Sequence, residues 1–191
     1  MYSYVGGDPV NSIDPTGLID IYIGGMGDDS SRLVFNYYQR QRRAYPRRDI
    51  RYFGWDQGAG IANAISSAPR GEPINIIGHS LGGAEAIRAS DRTNRTIDTL
   101  ITIDPVDLPF DKISSNISLG NVKAWVNVLA NPSESDRSDW IAWAGGKVDA
   151  SVTDKADINF TSAKHHGEFQ KMMDEINAAR ALEMTYRGKG K

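Results

Sequence analysis

From Ile19 onward the chain alternates between short apolar runs and longer amphipathic stretches. IDIYIGG (19–25) is a compact apolar segment closed by two glycines, the pattern of a buried strand. DDSSRLVFNYYQRQRRAY (28–45) carries apolar residues at helical spacing behind Asp and Ser residues able to cap it, and predicts one helix. DIRYFGW (49–55) predicts a second strand and GAGIANAISSA (58–68) a small-residue helix. PINIIGH (73–79) predicts a third strand and LGGAEAIRASDR (81–92) a third helix. DTLITID (98–104) and KAWVNVL (123–129) read as further strands, and GEFQKMMDEINAARALEM (167–184) as the last helix. Strands that alternate with helices imply right-handed βαβ units. The expected fold class is therefore α/β: a mostly parallel, doubly wound sheet with helices on both faces.

Composition narrows the picture. At 191 residues, 40% of them hydrophobic, the chain is long enough for a substantial core. A formal net charge of −2 gives no general attraction to nucleic acid, and no nucleic-acid partner is expected. Cys is absent, which excludes disulfides, thiolate metal sites and a thiol nucleophile. The N-terminus lacks the apolar run of a secretory signal, so export is expected to depend on something outside this segment.

The candidate chemistry centres on NIIGHSLGG (75–83). Reactive groups on open parallel sheets gather at the carboxyl ends of the strands, and Ser80 falls at such an end. Gly78-His79-Ser80-Leu81-Gly82 fits G-x-S-x-G, in which a serine stands on a tight strand-to-helix turn. Side chains two positions to either side would crowd that turn. The following helix also directs free N–H groups at the site, with the N–H of Leu81 the first candidate oxyanion donor.

A serine hydroxyl needs a base, and the base needs an orienting group. The histidines are His79, His165 and His166. His79 lies inside the turn itself, which leaves His165 or His166. His166 is favoured because a flexible glycine follows it and a helix begins there, with His165 the alternate. For the acid, Asp104 ends a predicted strand and Pro105 stops that strand, with Asp107 as the fallback.

IGHSLGGAEAIRASDRTNRTIDTLITIDPVDLPF (77–110) resembles the corresponding stretch of pancreatic-type lipases. Their serine also lies in GHSLG, and their next strand ends in an Asp-Pro pair that carries the triad acid. The resemblance covers roughly a fifth of the chain and implies an α/β-hydrolase fold with Ser80 as nucleophile and Asp104 as acid. The matching interval between the two favours Asp104 over Asp107. The same likeness implies a second oxyanion donor after the first strand, which maps to Met26 beside Gly25. The chain is much shorter than those lipases and lacks their cysteines.

Residues 1–18, MYSYVGGDPVNSIDPTGL, differ in character, with two Asp-Pro pairs and several glycines that favour turns. Residues 2–18 resemble the C-terminal signature of the Rhs-repeat core, a Tyr/Gly/Asn-rich stretch ending in Asp-Pro-x-Gly-Leu. In that family the signature marks the junction between a conserved shell and a variable toxin, with cleavage after the leucine. The resemblance implies a junction at Leu18–Ile19, with Asp14 in the D-P-x-G motif, and a hydrolase toxin domain over 19–191. It also implies the Rhs shell of a longer parent chain and a cognate immunity protein as partners. The expected setting is delivery into a competing cell, with action at its periplasmic or membrane face.

Two further stretches stand out. RQRRAYPRRDIR (40–51) concentrates arginine, suited to anionic lipid headgroups, to an acidic immunity protein, or simply to a solvated helix face. SDWIAWAGG (138–146) sets Trp140 and Trp143 beside glycines, as a lid, a wall of the acyl site, or ordinary core. The reading is a serine ester hydrolase acting on a lipid or other ester, phospholipid favoured, with possible membrane-surface contact and with no cofactor and no metal. An amidase, a thioesterase or a small-ester hydrolase on the same residues is the alternative within catalysis. A non-catalytic binding module is the alternative outside it.

Overall fold

The computed structural model describes residues 18–175. Asp14 and the Asp-Pro-rich stretch up to residue 17 lie outside the described residues, as does the last predicted helix beyond residue 175. Among the described residues six strands form one sheet: β1 (Ile19–Gly24), β2 (Asp49–Gly54), β3 (Ile74–His79), β4 (Thr99–Ile103), β5 (Trp125–Ala130) and β6 (Ile158–Ser162). Their order is β2-β1-β3-β4-β5-β6, and every pairing is parallel. The helices are α1 (Asp28–Ser31), α2 (Leu33–Ala44), α3 (Gly58–Ser67), α4 (Leu81–Arg92), α5 (Arg137–Gly145), α6 (Ala150–Thr153) and α7 (Phe169–Glu175).

Strand alternation divides the core in two. Ile19, Ile21, Ile23, Ile74, Ile76 and Leu100 point to one face, where α3 and α4 supply Ile61, Ile65, Ala84 and Ile87. Tyr22, Ile50, Ile77, Ile101, Ile103 and Val128 point to the other, against Val34 and Tyr37 of α2 and Phe169, Met172 and Met173 of α7. Each fully buried isoleucine contributes about 1.5–3 kcal/mol relative to exposure. The central strands β1, β3 and β4 are buried along their whole length, as expected for a sheet covered on both faces. This is an α/β-hydrolase fold.

The structure departs from the sequence expectations in four places. The helix expected over 28–45 is broken at Arg32, whose φ of 56° separates α1 from α2. The break arises because Asp28 turns back to cap α2, accepting hydrogen bonds from the N–H groups of Val34 and Phe35. Three elements, α5, α6 and β6, were not expected. β6 is an edge strand with Ile158 and Phe160 exposed, so its sequence lacks the pattern of a half-buried strand. β1 begins at Ile19, where the first strand was expected; Leu18 before it is buried, and the Ile19 N–H donates to Pro73 O at 3.2 Å.

Candidate active site

Ser80 stands between β3 and α4 with φ 56° and ψ −129°, a conformation that non-glycine residues rarely adopt. The surrounding backbone holds it there. Its N–H donates to Ile103 O at 3.1 Å, and its carbonyl accepts from Gly83 N–H at 2.9 Å and Val106 N–H at 3.0 Å. The flanking glycines are required by close approach. A Cβ on Gly78 would run into the Gly82 carbonyl, and one on Gly82 would run into the carbonyl of Ile23. The amino end of α4 is thereby seated on the carboxyl end of β1.

His166 precedes α7 and reaches Ser80 from the far side of the chain. Its Nε2 lies 3.0 Å from Ser80 Oγ, and its Nδ1 lies 2.7 Å from Asp104 Oδ2. A carboxylate can only accept, so the proton sits on Nδ1 and Nε2 is free to accept from the serine hydroxyl. Asp104 follows β4 with φ 41°; its N–H donates to Val128 O at 2.7 Å and its Oδ1 accepts from Ala130 N–H at 3.0 Å. Asp104 and His166 are both buried. The structure thus joins Ser80, His166 and Asp104 in one hydrogen-bonded chain.

The two alternates are engaged elsewhere. His165 directs Nδ1 to Asp139 Oδ2 at 2.7 Å, which raises its pKa above the ordinary histidine value. Asp107 is buried against Arg88 in an ion pair and also accepts from the N–H groups of Leu108, at 3.0 Å, and Ile113, at 2.6 Å. Neither faces Ser80.

Two residues that the sequence did not mark fix the backbone of His166. Asp139 Oδ1 accepts its N–H at 2.8 Å. His79 Nε2 donates to its carbonyl oxygen at 2.9 Å, and the two imidazoles pack with centroids 4.6 Å apart. Burial, with the neighbouring His166 second, pushes the His79 pKa down to about 3, so His79 stays neutral. Burial acts to raise the Asp139 carboxyl, but the N–H of Asp136, the His165 ring and the N–H of His166 outweigh it and bring it down to about 2. Asp139 also completes a reciprocal cap with Asp136 at the start of α5, and Ser138 Oγ accepts from Gly167 N–H at 2.9 Å. The His165–Gly167 loop is therefore tied to the first turn of α5. Asp136, Asp139 and His165 each place a ligand atom within 4.8 Å of the others, a spacing that could accept a metal ion, although their carboxylate oxygens already serve the cap.

Met26 and Leu81, expected as oxyanion donors, border the same cavity as Ser80. Leu81 opens α4, where its N–H has no intrahelical acceptor. Gly25 packs so tightly on Ser80 that a Cβ there would lie 2.6 Å from Ser80 Cβ and 3.2 Å from its Oγ. Met26 follows, and Met26, Ser80, Leu81 and His166 border one cavity of about 570 Å³ whose remaining wall includes Leu33, Val106, Leu108 and Ala142. Trp140 and Trp143 are not core residues: they are 62% and 71% exposed on α5, where they border a second cavity of about 300 Å³ beside Asp104, Asp139 and Lys147. The arginine-rich stretch lies at the other end of the molecule. It spans the carboxyl end of α2 and the amino end of β2, whereas Ser80 follows the carboxyl end of the parallel strand β3.

No protein-family model matches the sequence, and no curated protein matches it as a relative. Solved structures do resemble the fold. The metagenomic carboxyl esterase MGS0156 aligns with 83% of this chain and 66% of its own length, at 13% identity and a TM-score of 0.47. A YdeN-like hydrolase from Pectobacterium atrosepticum aligns with 78% of this chain and 80% of its own, at 15% identity and 0.45. ClbQ from the colibactin NRPS/PKS pathway aligns with 90% and 98%, at 12% identity and 0.46. This chain spans 66% of the length of the first of these. The likenesses are to the fold, and the chemical reading rests on the geometry above.

Proposed function

We propose that the protein is a serine ester hydrolase. The observation that carries this reading is the chain from Asp104 through His166 to Ser80, at 2.7 and 3.0 Å, built on a strained turn at the head of α4. Ser80 Oγ attacks the ester carbonyl carbon while His166 Nε2 takes its proton. Asp104 keeps the imidazole in the tautomer that can accept this proton and stabilises the imidazolium that results. The N–H groups of Leu81 and Met26 receive the developing oxyanion. His166 then returns the proton to the departing alkoxide, leaving an acyl-serine. Water, activated by the same imidazole, releases the acid.

The finer reading is a lipid ester, with phospholipid favoured. The cavity at Ser80 is walled by Leu33, Leu81, Val106, Leu108 and Ala142, a lining suited to an acyl chain. Trp140 and Trp143 project from α5, the helix that supplies Ala142, and Phe110 is exposed two residues beyond Leu108. Exposed tryptophan favours a lipid–water interface. Any contact with a membrane that also feeds the site would use this end, because the arginine-rich end faces the opposite way. No helix among the described residues is long and apolar enough to cross a membrane.

The toxin role rests on residues 2–18, whose Asp-Pro-x-Gly-Leu ending supports a place at the tip of an Rhs effector, with an immunity protein as partner. The arginine-rich end is open to such a partner without obstructing Ser80. The enzymatic reading is tested by offering the purified protein soluble p-nitrophenyl esters and phosphatidylglycerol vesicles beside Ser80→Ala. Release of nitrophenol and fatty acid by the wild type alone supports it. Ester hydrolysis without vesicle hydrolysis removes the lipid reading, and equal activity of Ser80→Ala removes the serine mechanism.

A further inference from the structure

Asp28 is 3% exposed, yet it is a carboxylate, and burying one is costly unless donors surround it. Three do. Its Oδ1 accepts from Val34 N–H at 2.9 Å, and its Oδ2 accepts from Phe35 N–H at 3.0 Å and from Tyr52 Oη at 2.7 Å. Two of these donors are at the amino end of α2, where a negative charge is favourable. Ordinary capping would place the acceptor at the residue preceding the helix. That residue is Arg32, in a left-handed conformation and with no side-chain cap. The acceptor instead comes from six residues before Val34 in sequence and recruits a third donor from β2.

This arrangement folds the β1–α2 connection back on itself just beside Ser80. Asp28 N–H donates to Gly25 O at 3.1 Å. The Asp28–Tyr52 pair also lies against Gly24: a Cβ there would come within 2.5 Å of Tyr52 Oη and 2.7 Å of Asp28 Oδ2. Gly24 leads into Gly25, which touches Ser80, and then into Met26. We propose that Asp28 and Tyr52 are positioning residues that hold the Gly25–Met26 backbone in register with Ser80 and so aim the Met26 N–H at the oxyanion. The proposal rests on the hydrolase reading of Ser80. Burial, followed by the bond to Asp28, raises the Tyr52 hydroxyl above the usual phenol range, so it remains a donor throughout the working pH range.

A pair that only stabilised α2 would lower the melting temperature and leave the chemistry of each folded molecule alone. The test uses Tyr52→Phe and Asp28→Asn in the full chain, with melting temperature, kcat and KM measured on a matched pair of p-nitrophenyl esters, one oxo and one thiono. Sulfur is larger than oxygen and a poorer hydrogen-bond acceptor, so the preference for the oxo ester reports the fit of the oxyanion donors. Complete loss of one donor costs about 10²–10³ in rate, and a loosened donor less. The expected result is a kcat lower by about 3- to 10-fold in Tyr52→Phe and about 10- to 100-fold in Asp28→Asn, with KM little changed and a reduced preference for the oxo ester. Tyr52→Phe removes one oxygen atom and keeps the ring, so it decides the matter even where Asp28→Asn does not fold. A folded Tyr52→Phe with wild-type kcat and wild-type oxo preference overturns the positioning role, as do losses that fall equally on both esters. A wild-type protein inert towards both esters overturns the hydrolase reading itself, and the positioning role with it.

Discussion

Replacing Gly25 by alanine adds a single methyl group directly against Ser80. The backbone of Gly25 is not in the positive-φ region, so alanine meets no conformational penalty there. The cost is steric. The new Cβ would sit 2.6 Å from Ser80 Cβ, 3.0 Å from His79 O and 3.2 Å from Ser80 Oγ. Comfortable carbon–carbon contact needs about 3.5–4.0 Å, so roughly 1 Å must be recovered. The His79 oxygen is backbone inside the strand end and yields little. Either Ser80 moves away from His166, or the Gly25–Met26 backbone retreats and takes its N–H with it. A misplacement of about 1 Å costs about 10²-fold in rate, and loss of an oxyanion donor about 10²–10³-fold, or about 2.7–4 kcal/mol. We therefore expect kcat of Gly25→Ala to fall by about 10²–10³, with a smaller change in KM. Gly71→Ala is the control. Gly71, before the amino end of β3 and away from Ser80, has φ 81° with nothing within 4 Å of a Cβ, so alanine there costs backbone strain of about 1–2 kcal/mol and spares the chemistry. The assay is steady-state hydrolysis of a soluble p-nitrophenyl ester, after circular dichroism has established that both variants are folded. A folded Gly25→Ala with kcat within about 3-fold of wild type would refute the reasoning, and so would a Gly71→Ala that loses as much.

Further outcomes follow from the same geometry. His166→Ala should cost about as much turnover as Ser80→Ala, on the order of 10⁴–10⁶, because the members of a triad act as a unit, while His165→Ala should keep much of the activity; parallel kinetics of the two histidine variants check this. Asp107→Ala leaves the half-buried Arg88 guanidinium with Asp111 alone and takes the acceptor from the N–H groups of Leu108 and Ile113, and should lower stability by about 1–3 kcal/mol, seen in urea unfolding, with turnover per folded molecule retained. His165 has its pKa raised by the Asp139 hydrogen bond, so its contribution to stability is fully present below its ordinary value of 6.5 and is lost as pH rises through the raised folded value. Melting temperatures across that window should decline in wild type and lose that component in His165→Asn; an unchanged profile in the variant would remove the pair from the account. A chain starting at Ile19 forfeits the burial of Leu18 and should be less stable by about 1.5–3 kcal/mol than one starting at Leu18, measured by thermal unfolding.

The centre of the sheet was legible because its signals are local. The β3–Ser80–α4 unit needs an apolar run, a serine and glycines where backbones touch, and all three requirements are written within NIIGHSLGG. Asp104 was legible for the same reason, since Pro105 ends its strand. What stayed hidden depends on partners distant in sequence. His79 looks idle inside its turn, and its use becomes visible only when His166, 87 residues away, lays its carbonyl against it. Asp139 sits in SESDRSDW (133–140), where no helix was expected, and nothing local says that a cap there also holds the His166 loop. Asp28 read as the opening of one long helix; its carboxylate instead skips to Val34 and Phe35, and the chain breaks at Arg32 to allow it. β6 escaped because its apolar side chains face outward along an edge.

The central claim is that Ser80 is a nucleophile activated by His166. It is tested most directly by exposing the protein to a fluorophosphonate, digesting it, and locating the adduct by mass spectrometry. The account predicts one adduct, on the peptide carrying Ser80, absent from Ser80→Ala and formed far more slowly in His166→Ala. An unlabelled wild type, an adduct on another residue, or a Ser80→Ala protein labelled at the wild-type rate would contradict it.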